Sequence, residues 1–207
     1  MIQLGLADNV PTIHFGIKKY FEEHSKISTT SYAYNFEALA QELASRQLDV
    51  LLLDIGLTGF NVVSDLKWIV KNFPKLKILI YSDLKEQVFA ANCIKTGAKG
   101  CLNKSASMED IELSIIKIQQ GDLVLSDSLK SIMLNKKKQD ATYFTKLSAR
   151  ESEVLRYLCS GKKNNEISSL LHINDKTTST YKTRLYKKIG VTNLVDLITK
   201  SKSLGII

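Results

Sequence analysis

The first 121 residues alternate five times between a short apolar run and a stretch with apolar residues at helical spacing. Continuous apolar strands are typical of a parallel sheet that is covered on both faces, and their alternation with helices indicates helices on each face. We therefore predict an α/β fold with a doubly wound, five-stranded parallel sheet. The predicted strands are Ile2–Ala7, Ser28–Tyr34, Val50–Leu53, Ile78–Tyr81 and Gly100–Asn103, and the predicted helices are Ile13–Phe21, Phe36–Arg46, Asn61–Lys71, Lys85–Thr96 and Met108–Gln120.

Polar residues stand where four of these strands end. They are Asp8 and Asn9 after the first strand, Asp54 after the third, Ser82 at the fourth and Lys104 after the fifth. The carboxyl ends of parallel strands meet at one edge of the sheet, where such folds place their functional sites. A carboxylate nucleophile beside a second acid can share a divalent cation, and a lysine can offset the charge of a phosphoryl group. The pattern favours phosphoryl chemistry; the alternative is that the aspartates cap loops and the lysine is a surface residue.

These residues resemble the receiver domain of two-component response regulators, and the resemblance covers nearly all of residues 1–121. It implies a flavodoxin-like fold in which Asp54 is the phosphoacceptor, Ser82 is the switch hydroxyl and Lys104 pairs with the phosphoryl group. It also implies that a sensor histidine kinase supplies the phosphoryl group.

The resemblance further implies a Mg²⁺ site formed by Asp8, Asp54 and the backbone carbonyl of Gly56, with Asn9 as a further candidate ligand. Receivers usually carry a second acid where this chain has Asn9. Because Mg²⁺ prefers carboxylate to amide oxygen, we expect a weakened metal site. The other departures from the receiver pattern are Thr58 in place of proline, Val62 in place of glycine, Asp83 in place of a small residue and Cys101 in place of an aromatic residue.

A second organised stretch, Leu147–Val191, predicts two helices joined by a tight turn. The first helix would present Ile167, Leu170 and Leu171 on one face. The second would begin after an N-cap at Asp175 and end before Gly190. Its predicted core stripe contains Thr178, Tyr181, Leu185 and Ile189.

The other side of the second helix combines small hydroxyls with long cations. Hydroxyls can approach base edges in a major groove, and cations neutralise phosphates. The alternative is an ordinary solvated face. The predicted DNA-binding residues are Lys176, Thr177, Ser179, Thr180, Lys182, Thr183, Lys187 and Lys188, with Ser179, Thr180 and Thr183 as the candidates for base readout.

The basic charge is concentrated in the same stretch. The formal net charge is 0 for residues 1–121, +1 for residues 122–142 and +7 for residues 143–207, which accounts for the total of +8. This segregation is expected when only one part of a protein meets a polyanion, and it does not favour association with a membrane through the whole surface.

The stretch resembles the LuxR-type helix-turn-helix in its NarL/FixJ form, over about 45 residues without a gap. The match includes Leu147–Glu151, Glu153–Leu155, Gly161, Glu166–Ile167, Lys176–Thr177, Arg184–Leu185 and Lys188–Val191. Thr178 and Ser179 depart from it, because an aliphatic residue and a lysine are common there. The resemblance implies a small all-α domain that binds double-stranded DNA.

The sequence thus predicts a receiver domain at 1–121, a linker at 122–142 with a solvated tether at Asn135–Asp140, and a helix-turn-helix domain at 143–207. Cys93, Cys101 and Cys159 are predicted to be buried thiols of a reducing compartment. The N-terminus is not that of a signal peptide, and no apolar run is long enough to span a bilayer, so we expect a cytoplasmic protein.

We predict a DNA-binding transcription regulator controlled by phosphorylation of Asp54, and no enzyme. One alternative is a constitutive or ligand-controlled DNA-binding dimer whose receiver is independent of phosphorylation. Another is an aspartate-nucleophile phosphohydrolase, which is disfavoured because Gly56 stands where such enzymes carry a general acid. Readout by a single helix favours a homodimer. The candidate dimer contact is the last helix, with Leu194, Leu197, Ile198 and Leu204.

Overall fold

The computed structural model describes residues 1–22, 26–62, 64–84, 86–126, 130 and 147–203. The chain divides into two compact units: one contains Met1–Asp83 and Cys93–Asp127, and the other contains Leu84–Asn92 and residues 128–207. Most of the predicted linker, including its tether, lies outside the described residues. None of the helices in the described part of the chain has the length and apolar character needed to cross a bilayer.

The sheet is five-stranded and entirely parallel, as predicted, and its strand order is β2-β1-β3-β4-β5. Such an order requires crossovers on both faces, so the doubly wound prediction is confirmed. Its strands are β1 (Ile2–Ala7), β2 (Ile27–Ala33), β3 (Val50–Leu53), β4 (Lys77–Ser82) and β5 (Gly100–Asn103), and the helices of this part of the chain are α1 (Pro11–Glu22), α2 (Phe36–Ser45), α3 (Ser64–Asn72), α4 (Glu86–Thr96) and α5 (Met108–Gln120).

The largest boundary error concerns α3, which begins at Ser64 rather than at Asn61. The Asn61 side chain accepts the Ser64 N–H at 3.1 Å, and the Asp65 carboxylate accepts the Asn61 N–H at 2.7 Å. The Asn61 side chain therefore caps the N–H of the first helical residue, and the Asp65 side chain bonds back to Asn61, so Asn61 precedes the helix instead of belonging to it.

The second unit contains four helices within residues 147–203: α6 (Ala149–Cys159), α7 (Asn164–Leu171), α8 (Asp175–Ile189) and α9 (Leu194–Ser203). Ser148 and Glu151 form a capping box at the start of α6. The turn between α7 and α8 contains His172 in the left-handed conformation, with φ of 51°. The N-cap of α8 is Asn174, whose side chain accepts the Thr177 N–H, so the prediction of Asp175 was wrong by one residue.

The buried side chains of this unit come from all four helices. They include Val154, Leu155, Leu158, Ile167, Leu171, Leu185, Ile189 and Leu197. The predicted core stripe of α8 is present, with Tyr181 half-buried at its edge. Leu170 was predicted to share one face of α7 with Ile167 and Leu171, but those two are buried whereas 43% of Leu170 is exposed.

Thr178 is fully buried in α8, and its hydroxyl has no hydrogen-bond partner among the described residues. Because valine has the same shape without the buried polar atom, we expect Thr178→Val to raise the free energy of unfolding by about 1 kcal/mol. Calorimetry of the full chain would measure the change. The matched control is Thr180→Val, which alters an exposed hydroxyl of the same helix. A lower unfolding temperature for Thr178→Val would contradict the prediction.

Candidate functional site

The strand register brings the predicted acidic residues to the same edge of the sheet. Ala7 pairs with Leu53, so Asp8 and Asp54 leave adjacent strands side by side. The Asp54 N–H donates to the Ala7 carbonyl at 2.8 Å, which continues the ladder by one residue. Both aspartates are almost fully buried, with exposed fractions of 3% and 8%.

Lys104 reaches this pair from the end of β5. Its Nζ lies 2.7 Å from Asp8 Oδ2 and 3.1 Å from Asp54 Oδ2, and 9% of its side chain is exposed. The remaining carboxylate oxygens accept backbone N–H groups: Asp8 Oδ1 from Val10 and Asp54 Oδ1 from Gly56. One ammonium therefore lies between two carboxylates in a largely dry site, where electrostatic interactions are strong.

The ionisation of Asp54 reflects this environment. Burial raises the pKa of the Asp54 carboxyl above its usual value, although the Gly56 N–H and Lys104 act in the opposite direction. Burial by itself would lower the pKa of Lys104, but hydrogen bonds with Asp8 and Asp54 raise it. Lys104 therefore carries a positive charge, which can also interact with a group at Asp54 that is more negative than the carboxylate itself.

Asn9 does not enter the ion-pair cluster. Its amide Nδ2 donates to the Gly56 carbonyl at 2.8 Å, and its Oδ1 accepts the N–H and the hydroxyl of Thr58 at 2.7 and 2.9 Å. Asn9 was predicted as a further metal ligand. In this arrangement its only side-chain oxygen already accepts two hydrogen bonds.

Ser82 is the last residue of β4, and it is buried. Its carbonyl accepts the Lys104 N–H at 3.0 Å, which joins the ends of β4 and β5. Of the residues that depart from the receiver pattern, Asp83 is exposed and Cys101 is buried in β5.

The three cysteines were predicted to be buried. Cys93 and Cys101 are buried, whereas Cys159 is only half-buried.

The oxygens at this edge fit the chemistry of Mg²⁺. Within the described residues, no three His, Cys, Asp or Glu side chains form a metal-binding group. Asp8 and Asp54 nevertheless converge on one point, because both contact the same lysine nitrogen. Two carboxylates and one carbonyl oxygen, that of Gly56, are the ligands that a hard cation prefers. That carbonyl already accepts a hydrogen bond from Asn9.

The outer face of α8 presents most of the predicted DNA-binding side chains to solvent. Lys176, Ser179, Thr180, Thr183 and Lys187 are exposed. The hydroxyl of Thr180 donates to the Lys176 carbonyl at 2.8 Å, and that of Thr183 donates to the Ser179 carbonyl at 3.0 Å. The Ser179 hydroxyl accepts the Asn164 side-chain amide at 3.2 Å, so all three candidates for base readout already have a hydrogen bond within the unit.

The other three predicted DNA-binding residues are half-buried. Thr177 is half-buried and donates its hydroxyl to Asn174 at 2.9 Å. Lys182 is half-buried, with its nitrogen 5.9 Å from the centre of the Tyr186 ring. Lys188 donates to the buried Glu151 carboxylate at 2.6 Å.

The candidate dimer contact in α9 needs one correction. Leu197 is fully buried within its own unit, so it cannot contribute to a contact with a second copy. Leu194 and Ile198 are half-buried, and 71% of Val195 is exposed. Leu204 lies outside the described residues.

Two stretches of the chain match known domain families. Residues 5–116 match the response regulator receiver domain, and residues 145–201 match the bacterial regulatory proteins of the luxR family. The Fimbriae Z protein of Escherichia coli (strain K12) is 30% identical over 198 residues, which are 95% of this chain and 94% of that protein. Response regulator UvrY of the same strain is 26% identical over 200 residues, covering 95% of this chain and 92% of that protein.

A solved structure has a similar fold over both units. RcsB from Salmonella enterica serovar Typhimurium, bound to promoter P1flhDC in the presence of phosphomimetic BeF3-, matches with a TM-score of 0.82 and 26% identity over 98% of each chain. Together with the matched domains, this similarity extends along almost the whole chain. The chain belongs to the NarL/FixJ family of response regulators, which join a receiver domain to a LuxR-type helix-turn-helix domain.

Proposed function

We propose that this response regulator takes a phosphoryl group on Asp54 and that this modification controls DNA binding by α8. The observation that carries the proposal is the buried cluster in which Lys104 contacts both Asp8 and Asp54. A buried carboxylate with an adjacent fixed cation can accept a phosphoryl group whose added charge the cation offsets.

In the proposed reaction an Asp54 oxygen attacks the phosphorus of a phosphohistidine on a sensor histidine kinase. The O–P bond forms while the P–N bond breaks, and the imidazole leaves and takes up a proton. Mg²⁺ held by Asp8, Asp54 and the Gly56 carbonyl would offset negative charge on the phosphoryl oxygens. Lys104 orients the phosphoryl group, and the Ser82 hydroxyl approaches it and moves the end of β4.

Two observations bear on the alternative functions. Gly56 contributes only its backbone N–H to Asp54, so no acid from this residue can protonate a leaving group. This argues against a phosphohydrolase. The hydrogen bonds that Asn9 donates to Gly56 and accepts from Thr58 favour the second candidate, a receiver that acts without phosphorylation, because they order the acceptor loop in the unmodified protein.

We propose that α8 binds double-stranded DNA by lying in its major groove. RcsB, a structural neighbour, has been solved bound to promoter DNA and as dimers bound to DNA. A homodimer would place two copies of α8 on two half-sites, which supplies specificity that one helix lacks. In α9, Val195 and the half-buried Leu194 and Ile198 are the available apolar side chains for such a contact.

Replacement of Lys187 by Met tests the DNA surface. We expect affinity for duplexes of different sequence to fall by similar factors, because Lys187 lies in the last turn of α8, whereas base contacts come from the N-terminal part of such a helix. The slope of log K against log salt should become shallower by about 1. The full-length protein would be titrated with mixed-sequence duplex at several salt concentrations. Lys67→Met, an exposed lysine of α3, is the matched control. An unchanged slope for Lys187→Met would remove it from the interface.

A further inference from the structure

A single side-chain amide, that of Asn9, joins the loop after β1 to the loop after β3. It makes three hydrogen bonds, one to the Gly56 carbonyl and two from Thr58. Because a backbone carbonyl can only accept and a backbone N–H can only donate, these partners fix the orientation of the amide. Both acceptor positions of Oδ1 and one N–H of Nδ2 are therefore engaged in the same loop.

Thr58 is also held from its other side. Its carbonyl accepts the Phe36 N–H at 2.9 Å, at the start of α2. The Gly56 N–H donates to Asp54 Oδ1 at 2.9 Å. Direct hydrogen bonds therefore connect Gly56 to the Asp54 carboxylate and to Asn9. They also connect Thr58 to Asn9 and to the start of α2.

We infer that Asn9 and Thr58 form a built-in tie that holds the acceptor loop in place without a bound cation, and that the Asn9 amide competes with a cation for the Gly56 carbonyl by occupying one of its two acceptor positions. The inference deepens the proposed function, because it concerns the loop beside the proposed phosphoacceptor. The positive end of the amide N–H dipole faces the carbonyl oxygen, where a cation would otherwise bind.

The chemistry of the tie depends on the amide of Asn9 and on the N–H and hydroxyl of Thr58. A carboxylate at position 9 could still accept from Thr58, but it could not donate to the Gly56 carbonyl. Asn9→Asp would release that oxygen and add a charge, so both changes favour a hard cation. We expect its affinity for Mg²⁺ to rise on the order of tenfold, as is typical of changes next to metal ligands.

The chain offers a matched control in Asn72, the last residue of α3. Asn72 is exposed, and its Nδ2 donates to the Trp68 carbonyl at 2.8 Å. Asn72→Asp therefore makes the same chemical change, loses the same type of bond and adds the same charge to the protein. We expect its Mg²⁺ affinity to equal that of the wild type.

The test uses the full-length protein and two measurements. In EDTA, hydrogen exchange of the Thr58 amide should be slow in the wild type and about tenfold faster in Asn9→Ala, because the acceptor is gone. Thr58→Val, which retains the N–H and loses only the hydroxyl, should lie between them, and Asn72→Ala should behave as the wild type. Calorimetric titration with MgCl₂ would then compare Asn9→Asp with Asn72→Asp.

Unchanged exchange at position 58 in both Asn9→Ala and Thr58→Val would overturn the inference. It would also be overturned if Asn9→Asp bound Mg²⁺ no more tightly than the wild type. Neither measurement depends on phosphoryl uptake. The tie and the proposed phosphorylation of Asp54 can therefore fail independently of one another.

Discussion

Replacement of Asp54 by Asn is expected to abolish phosphoryl uptake. The neutral amide keeps the size of the side chain but cannot act as a nucleophile, and Asp8 accepts a backbone N–H and an ammonium in its present position. Mass spectrometry after treatment with a small acyl phosphate and Mg²⁺ would show one added phosphoryl group on the wild type and none on the variant. Any coupling of modification to DNA affinity, typically about 5- to 150-fold, should disappear with it.

Asp49→Asn is the matched control for this experiment. Asp49 precedes the same strand, β3, at the opposite edge of the sheet, and accepts the Gln3 N–H at 2.8 Å. It should take up the phosphoryl group as the wild type does. Equal uptake by Asp54→Asn would move the acceptor elsewhere, and no uptake by the wild type at saturating Mg²⁺ would favour a receiver that acts without phosphorylation.

Loss of folding is not expected to explain the effect of Asp54→Asn. Because burial raises the pKa of Asp54, the folded protein binds its proton more tightly than the unfolded chain does. The charge on Asp54 therefore lowers stability at neutral pH, and this cost disappears as the pH falls through the raised pKa. Asn carries no charge and Lys104 keeps its contact with Asp8, so the variant should unfold at pH 7 at a temperature close to that of the wild type.

The sheet could be predicted almost completely, because its central strands are continuous apolar runs between helical periods. The bounds of β1, β3 and β5 were predicted without error, as were those of α5. Parallel strands place their carboxyl ends together, so the meeting of Asp8, Asp54 and Lys104 followed from the strand assignments alone. The start of α3 could not be predicted, because it depends on side-chain hydrogen bonds made by Asn61 and Asp65.

Two features of the candidate sites required the three-dimensional structure. The hydrogen bonds that Thr58 donates to Asn9 connect two loops, and loops have no periodic pattern that would indicate which residues meet. The contact of Lys188 with Glu151 joins residues 37 positions apart. Helical spacing could have indicated that Lys188 faces the core, because Lys188 lies two turns after the half-buried Tyr181 and therefore on nearly the same side of α8. The prediction assigned Lys188 to the phosphate-contacting lysines without using this spacing.

Lys188→Met should destabilise the helical unit, which consists of α6 to α9, whereas Lys187→Met should not. Glu151 Oε2 accepts the Lys188 ammonium at 2.6 Å and the Ser148 N–H at 2.7 Å, and only 3% of the Glu151 side chain is exposed. Removal of the lysine leaves a buried carboxylate without its cation. Breaking a fully buried pair typically costs about 3 to 5 kcal/mol, and we expect about 2 kcal/mol because 35% of the Lys188 side chain is exposed to screening solvent.

The pH dependence of stability distinguishes this structural role from a role in DNA binding. Burial alone would raise the pKa of Glu151, but its bonds with Lys188 and Ser148 lower it below the usual 4.5. The stabilisation is therefore present above pH 4.5 and is lost as the pH falls through the lowered pKa. Calorimetry of the full chain should show that the unfolding temperature of the helical unit is roughly 10 °C lower in Lys188→Met than in the wild type at pH 7, and that the difference is smaller at acidic pH.

The unfolding transition of the unit that contains the sheet serves as the internal reference. Lys187→Met should unfold as the wild type does, since Lys187 is exposed. If Lys188→Met retained wild-type stability at pH 7 and lost only DNA affinity, the pair with Glu151 would not stabilise the domain, and Lys188 would belong with the phosphate-contacting lysines.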